Sequence, residues 1–412
     1  MNHYHHAKAI VSKLSREGFI AYFAGGWVRD FVMGHPSEDI DIATNASPIQ
    51  IMDLFPNTIL VGLAFGVVIV VIEGHTFEVA SFRKDVSYQD GRRPDAIILS
   101  TPQEDASRRD FTINGMFYDP LNEEIHDFVH GQKDIKLGII RTIGDPSERF
   151  FEDRLRMLRA FRFAARFGFT IDPDTLEAIR EYASRLLPAV AMERIYQEFK
   201  KMAAYPRFDE ALVEMHQLGL LEAIFPELQH THLKDLRHYV SSFKNFPKEC
   251  HPIFYLLQLF PDKTVGEKLE IGRRLRASNK ELSEVEFADK VANFLNRVAN
   301  NQSVDRFDWT LLMAQPNFHK TVEILTASYP NEERESLRVH LERKEEELRP
   351  HLLRHRAKKP IITSEELMSL GIRPGKQMGD LLRLAEKSAV NENILDKQVI
   401  LEKLQRSNLW SP

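Results

Sequence analysis

The sequence predicts an α+β protein, a head of mixed strands and helices up to about residue 140 followed by an all-α remainder. Short β-rich runs at residues 66–72 and 76–82, separated by Glu73-Gly74-His75, read as a hairpin. From Arg149 onward apolar residues recur at helical spacing, at Phe151, Leu155, Leu158, Phe161 and Phe163, and this character persists almost to the C-terminus. A length of 412 residues exceeds what one hydrophobic core fills, so two to four domains are expected.

In the head, Phe23-Ala24-Gly25-Gly26-Trp27-Val28-Arg29-Asp30 runs from an apolar stretch through two glycines into a helix that ends near Gly34. Gly25 and Gly26 would let the backbone approach a triphosphate with no Cβ in the way, and the helix start offers N–H groups to its oxygens. A glycine pair alone fits a simple turn better. The next element changes the balance. In Glu38-Asp39-Ile40-Asp41-Ile42 the acids alternate with isoleucines at strand period, so Asp39 and Asp41 point the same way. Like charges this close are costly unless a cation lies between them, and a hard divalent ion is the matching partner. Two exposed acids on an edge strand would show the same pentapeptide; the upstream glycines favour the metal reading. Two-metal chemistry commonly takes a further carboxylate, and Glu78, in Thr76-Phe77-Glu78-Val79-Ala80-Ser81-Phe82 on an adjacent strand by pattern, is the candidate.

The helical remainder is punctuated at Leu186-Leu187-Pro188, Ala204-Tyr205-Pro206, Phe225-Pro226 and Tyr329-Pro330-Asn331, each a helix end because proline disfavours the helical conformation before it. Glu345-Glu346-Glu347 reads as a solvated helix face.

A hydrophobic share of 43% and a charged share of 28% describe an ordinary folded protein. The single cysteine, Cys250, excludes an intramolecular disulfide framework and a cysteine zinc site, which suits a reducing cytoplasm. The polar start, residues 1–7, carries no targeting pattern, and the most apolar run, residues 67–72, is too short to span a bilayer, so no membrane association is expected. His3, His5 and His6 are expected to be solvent-exposed and inert. The net charge of −5 hides two basic stretches: Arg154, Arg156, Arg159, Arg162 and Arg166 with no acid among them, and Arg349, Arg354, Arg356, Lys358 and Lys359. Together such patches can follow a polyanion along one face, although either alone is more commonly a solvated helix.

These segments, with Arg108-Arg109-Asp110-Phe111-Thr112-Ile113-Asn114, Ile140-Arg141-Thr142-Ile143-Gly144-Asp145-Pro146, Glu152-Asp153-Arg154-Leu155-Arg156, Met192-Glu193-Arg194 and Gly371-Ile372-Arg373-Pro374-Gly375-Lys376, resemble the class II tRNA nucleotidyltransferases. That family comprises the bacterial CCA-adding enzymes and is close to bacterial poly(A) polymerases. The resemblance implies a polymerase-β-type nucleotidyltransferase head at 1–140, a helical neck at 141–204, a body at 205–328 and a tail at 329–412, elongated and all-α after the head. It implies that Gly26 and Arg29, beside Gly25, contact the incoming nucleotide, that Asp39 and Asp41 bind magnesium (Mg2+), and that Arg109 and Asp110, in the motif ending at Asn114, approach the sugar. Asp153, Arg156, Arg159 and Arg162 would complete the nucleotide pocket, and tRNA would lie along the helical remainder. There, Arg354, Arg356, Lys358 and Lys359 are candidate RNA contacts, and residues 373–376 could grip an RNA backbone through Gly375 and Lys376 or form a plain helix-linking turn.

Base selection can be argued from residue chemistry. On a continuous helix Glu152 and Arg156 are four apart and Asp153 and Arg156 three apart, so they share a face. A carboxylate accepts and a guanidinium only donates. Cytosine and adenine present an amino donor beside a ring acceptor, whereas uracil and guanine reverse that order. Asp153 with Arg156 therefore fits C and A, with Glu152 orienting Arg156; in isolation the same residues would read as a helix-supporting ion pair. Arg159 and Arg162 could face triphosphate or RNA.

The reaction implied is attack by an RNA 3′-hydroxyl on the α-phosphate of CTP or ATP with loss of pyrophosphate. Full CCA addition, A-only addition and poly(A) synthesis are its variants. The resemblance implies that a CC-only enzyme would lack the loop between the strands and the Arg-Arg-Asp motif; here that loop, at 84–95 with Tyr88, Gly91, Arg92, Arg93 and Pro94, is intact, which disfavours CC-only addition. An inactive RNA-binding relative is disfavoured by the joint presence of Asp39, Asp41, Arg109 and Asp153, and an appended phosphohydrolase by a lone His-Asp pair, His126-Asp127, in a strand-like part of the head.

Overall fold

The computed structural model describes residues 3–35, 37–62, 66–85, 97–300 and 302–411. It divides into two compact units, Met1–Arg237 and His238–Pro412. The loop residues Tyr88, Gly91, Arg92, Arg93 and Pro94 lie outside the described residues.

The first unit is built on a seven-stranded sheet. Its strands come from β1 (Ala21–Ala24), β2 (Asp41–Thr44), β3 (Thr58–Gly62), β4 (Val67–Ile72) and β5 (His75–Ser81), then, after the small ribbon β6 (Arg83–Asp85) and β7 (Ile97–Leu99), from β8 (Phe117–Asp119) and β9 (Glu124–His126). The spatial order is β3-β4-β5-β2-β1-β8-β9. Neighbours are antiparallel except β2 and β5, which run parallel with Ile42 opposite Val79. The expected hairpin is β4–β5, and its turn residues Glu73 and Gly74 have φ of 49° and 82°, the left-handed pair that matches strand twist in a tight hairpin.

Helix α1 (His3–Arg16) lays Ala7, Ile10, Val11 and Leu14 on the sheet, where they pack with Phe23, Ile42, Val68, Val70 and Val79 in one core. That periodicity corrects one expectation. His6 lies on the inward face of α1, is 3% exposed, and stacks on His75 with ring centroids 5.2 Å apart. α2 (Gly26–Val32), α3 (Pro48–Leu54), α4 (Pro102–Ser107) and α5 (Gly131–Leu137) complete the mixed part, and α6 (Pro146–Glu152), α7 (Leu155–Phe167), α8 (Pro173–Tyr182), α9 (Met192–Met202), α10 (Phe208–Gln217) and α11 (Leu220–Ile224) follow. The prolines act as expected: α9 stops before Pro206 and α11 before Pro226.

The stretch after Arg149 is not one helix. α6 ends at Glu152, Asp153 is extended (φ −147°, ψ 103°), and α7 begins at Leu155. Phe151, whose spacing suggested a core position, is 58% exposed because it belongs to α6 and not to the apolar face of α7.

The second unit is helical throughout its described regular elements. Its longest helix, Asn331–Arg356, starts directly after Pro330 and buries Leu341, Leu348 and Leu352 against Phe294, Trp309 and Phe318. A second cluster joins Ile362, Leu367, Leu381, Ala385 and Ile400. Among the described residues no helix is long and apolar enough to cross a membrane.

Candidate active site

A cleft of about 540 Å³ in the first unit is lined by Gly25, Gly26, Arg29, Asp41, Arg108, Arg109, Asp110, Asn114, Asp153, Arg156, Arg159, Arg162 and Arg194, among others. The sheet supplies one wall through the β1–α2 turn and β2. Gly25 has φ 66° and ψ −126°, a backbone that favours glycine, and a Cβ there would stand 3.1 Å from Arg109 Nη1, so that side chain would have to shift slightly.

Asp41 opens β2 and Asp39 precedes the strand, so the pairing begins two residues after Asp39, where the alternation had placed the strand. The alternation itself holds: Asp39 and Asp41 are exposed while Ile40 and Ile42 are 3% and 1% exposed. Glu78 is exposed on β5, the parallel neighbour of β2. Although Asp41 is open to solvent at its surface, it lines the cleft, and the desolvation there, joined by the negative charges of Glu78 and Asp39, raises its carboxyl to about 6 against the pull of Arg109. Among the described residues no three His, Cys, Asp or Glu side chains form a ready-made metal cage. The donor set is all oxygen and mutually repelling, which fits a hard divalent ion that completes its shell with water and substrate phosphate.

Arg29, 3% exposed on α2, donates from Nε and Nη2 to Asp30 Oδ1 (2.8 and 2.7 Å) and from Nη1 to Asn114 Oδ1 (2.7 Å). Asn114 Nδ2 donates to Asp110 Oδ1 at 3.0 Å, and Asp110 Oδ2 accepts from Nε and Nη2 of Arg159 (2.8 and 2.5 Å). Arg166 closes the circuit by donating to Asp30 Oδ2 at 2.9 Å. The network thus leaves α7 at Arg159, crosses the head motif and returns to α7 at Arg166. Burial alone would raise the Asp110 carboxyl, but the Arg159 charge and the Asn114 hydrogen bond outweigh it and hold the group at about 2. Burial lowers the pKa of Arg29, with Asp30 opposing. Asp105, 1% exposed on α4, accepts from both Arg108 (2.7 Å) and Arg109 (3.0 Å) and so fixes the two arginines of the motif.

At the break between α6 and α7, Asp153 does not share a helical face with Arg156. Its Oδ1 accepts from the Leu155 N–H at 3.0 Å, and its Oδ2 accepts from Arg194 Nη2 at 2.9 Å. Glu152 does meet Arg156, at 2.6 Å, and Arg156 also donates to the carbonyls of Arg149 (3.1 Å) and Arg108 (3.2 Å). Four of the five arginines in the run that looked acid-free have acidic partners, three of them from remote elements. Arg156 pairs with Glu152, Arg159 with Asp110, Arg162 with Glu198 at 2.6 Å, and Arg166 with Asp30. The run is therefore a set of anchored donors lining a cleft and not a bare polyanion-binding face.

In the second unit Arg354 points inward to Glu386 at 2.5 Å, and Arg356 reaches Glu345 at 2.7 Å. Burial would raise the Glu386 carboxyl, but hydrogen bonds from His355, Arg354 and the Ile361 N–H hold it at about 2. Lys358, Lys359, Gly375 and Lys376 are exposed, and Gly375 immediately precedes the helix Lys376–Asn391. Asp30, Asp105, Arg166, Arg194 and Glu198 were not recognised as site residues from the sequence. Asp30 and Arg194 stood inside the recognised motifs, and the only local signal for Asp105 was its spacing of three and four from Arg108 and Arg109.

A mixed sheet whose glycine turn faces paired carboxylates, closed by an arginine-rich helix, defines a nucleotidyltransferase. Residues 21–141 match the poly A polymerase head domain, and residues 168–231 match the probable RNA and SrmB-binding site of polymerase A. The CCA-adding enzyme of Ligilactobacillus salivarius is 31% identical over 405 residues, 97% of this chain and 96% of that one. That of Anoxybacillus flavithermus is 43% identical over 223 residues, an alignment spanning 54% of this chain and 55% of the relative. The solved structure of the Bacillus stearothermophilus CCA-adding enzyme in complex with CTP superposes with a TM-score of 0.75 at 25% identity, covering 98% of each chain. The Thermotoga maritima CCA-adding enzyme complexed with tRNA shares the fold at a TM-score of 0.67, with 21% identity and coverage of 96% and 93%. This chain belongs to the CCA-adding enzyme family.

Proposed function

We propose that this chain adds C and A to the 3′ end of tRNA without a nucleic-acid template, using CTP and ATP and releasing pyrophosphate. The observation that carries the reading is that one cleft joins the Asp41 wall to Asp153 and Arg156. Asp39 and Asp41 would hold Mg2+, with Glu78 beside them. Bound divalent ions would lower the pKa of the attacking hydroxyl and neutralise the departing pyrophosphate. Gly25 and Gly26 give the triphosphate close access to the backbone, Arg29 and Arg109 supply positive charge beside it, and Asp110 and Asn114 approach the sugar.

The break before α7 sharpens the account of base choice. Because Asp153 and Arg156 are not paired with each other, acceptor and donor remain separately available to the base edge. Three hydrogen bonds commit part of the Arg156 fork and fix its plane, leaving two of its five N–H groups for a ligand. Glu152 orients Arg156. Uracil or guanine would leave polar groups unpaired, at about 1–3 kcal/mol each. Arg159 and Arg162 are held by Asp110 and Glu198, so they act as fixed positive walls of the nucleotide cleft.

The division into head (1–140), neck (141–204), body (205–328) and tail (329–412) follows the same reading, with Lys358, Lys359, Gly375 and Lys376 offered to tRNA and Arg354 and Arg356 shaping that surface. The lone cysteine suits a cytoplasmic enzyme. The test is to incubate the protein with tRNA ending before CCA, after the first C and after CC, with CTP and ATP separately and together. Extension by C, C and then A on the matching substrates supports the reading. Extension only of the CC-ended substrate would mean A-only addition, and long A tails would mean poly(A) synthesis.

A further inference from the structure

Helix α6 presents its side chains to three different surroundings. Phe150 is fully buried in the core. Arg149 and Glu152 tie the helix to its neighbours: Arg149 Nη1 donates to the Ser107 carbonyl at the end of α4 (3.2 Å), and Glu152 accepts from Arg156 at 2.6 Å. Phe151 is left facing water, and at 58% exposure it is the most exposed phenylalanine among the described residues. Arg154, three residues on and at the start of α7, holds its guanidinium 5.9 Å from the centre of that ring. It is the one arginine of the 154–166 run with no acidic partner among the described residues, and its Nε, closed off from solvent, finds no acceptor there. Arg154 stands between Asp153 and Leu155, which both line the cleft, whereas Arg154 and Phe151 do not. The two side chains therefore put an open π-face and an uncommitted cation at the outer margin of the site.

We propose that Phe151 and Arg154 form a docking point for the 3′ end of the RNA being extended: an unpaired base stacks on the Phe151 ring, and a backbone phosphate pairs with Arg154. The chemistry of the ligand follows from the two groups. An exposed ring offers a stacking face to a base of any identity, and a guanidinium without a counter-charge is available to an anion. Single-stranded RNA carries an open base face and a phosphate at neighbouring positions, whereas bases inside a duplex are covered by their neighbours. The incoming nucleoside triphosphate fits less well, because the groups assigned to read its base, Asp153 and Arg156, line the cleft and this pair does not. A hold one residue from Asp153 keeps the growing end beside the nucleotide and leaves the choice of base to the cleft. The pair thus sets RNA affinity and reads no sequence. The inference rests on the proposed nucleotide addition to RNA.

The experiment measures Kd for a tRNA ending before CCA by filter retention, together with KM for that tRNA and for CTP, in the full chain and in Phe151→Ala, Phe151→Tyr, Arg154→Met and Lys133→Met. Lys133 is an exposed lysine of α5 that does not line the cleft, so K133M removes one positive charge elsewhere in the same unit. Phe151→Ala is expected to raise Kd and KM for tRNA about tenfold, the scale of one lost base–aromatic stack, with KM for CTP moving less than about twofold. Phe151→Tyr keeps the π-face and is expected to bind tRNA as the unmodified chain does. Arg154→Met is expected to weaken tRNA binding and to lower the slope of log Kd against log salt concentration by about 0.7, the effect of one phosphate contact to a single strand. K133M is expected to leave tRNA binding unchanged. A tRNA Kd within about twofold of the native value in both F151A and R154M, or an equal loss in K133M, overturns the proposal. So does a rise in KM for CTP that matches the rise for tRNA, which would place the pair at the nucleotide. Should F151A not fold, R154M decides by the same criteria. Because Kd is read without turnover, an unmodified chain that binds tRNA but adds neither C nor A would defeat the functional reading alone, so the two failures are distinguishable.

Discussion

Replacing Asp110 with Asn tests the buried network that ties the head motif to α7. The carboxyl accepts from Arg159 and Asn114 and is held at about 2, below its ordinary value of 3.8. A depressed carboxylate pKa contributes stability that is fully present above the unfolded value and is lost as pH falls through the folded value. A depression of that size corresponds to a few kcal/mol. Asp110 is 8% exposed, so solvent screening takes little from this figure. Asp110→Asn leaves Arg159, at 32% side-chain exposure, without its counter-charge, and water reaching that guanidinium limits the added cost. The expected loss is therefore about 2–3 kcal/mol at pH 7. Urea unfolding followed by tryptophan fluorescence reports it through Trp27, which packs in the head core. The gap between the native chain and the variant should stay constant from pH 7 down to about pH 4 and narrow below that, as the native carboxylate is protonated in the window between about 4 and 2. A gap under about 1 kcal/mol at pH 7, or one that closes between pH 7 and 5, would refute the reasoning.

Asp39→Ala should abolish nucleotide incorporation while tRNA binding, measured by filter retention, changes less than about twofold; chelating divalent ions should have the same two effects on the native chain. Retained turnover in either case would sink the metal assignment. Gly25→Ala meets both a left-handed backbone and the Arg109 guanidinium, so the first unit should lose about 1–3 kcal/mol in urea titration, and a neutral result would show the turn to be adaptable. Asp153→Ala should blur the choice of C and A over U and G more than it slows metal-dependent turnover; unchanged selectivity would falsify the role given to that carboxylate.

Much of the site is legible wherever the signal is local. The alternation through Asp39, Ile40, Asp41 and Ile42 reports which side chains leave the core, because strand period is a property of neighbouring residues. The β4–β5 hairpin and the Gly25-Gly26 turn are legible for the same reason. What the sequence conceals is pairing between distant segments. Arg156, Arg159, Arg162 and Arg166 look like an unpaired basic ridge, but three of their four acidic partners come from elements remote in the chain. The break at Asp153 is also hidden, since Glu152-Asp153-Arg154 contains neither glycine nor proline to announce it. The Arg194 ion pair that holds Asp153 depends on where α9 packs. That break altered the chemistry inferred, from a helix-face pair to an acceptor and a donor positioned independently.

The most direct test is to supply the native chain with Mg2+, a tRNA lacking its three terminal residues and all four nucleoside triphosphates at equal concentration, and to sequence the product ends. The account predicts that C, C and A are added in that order and that extension then stops. Incorporation of U or G at a rate comparable to C or A, a run of A alone, or no extension would contradict it.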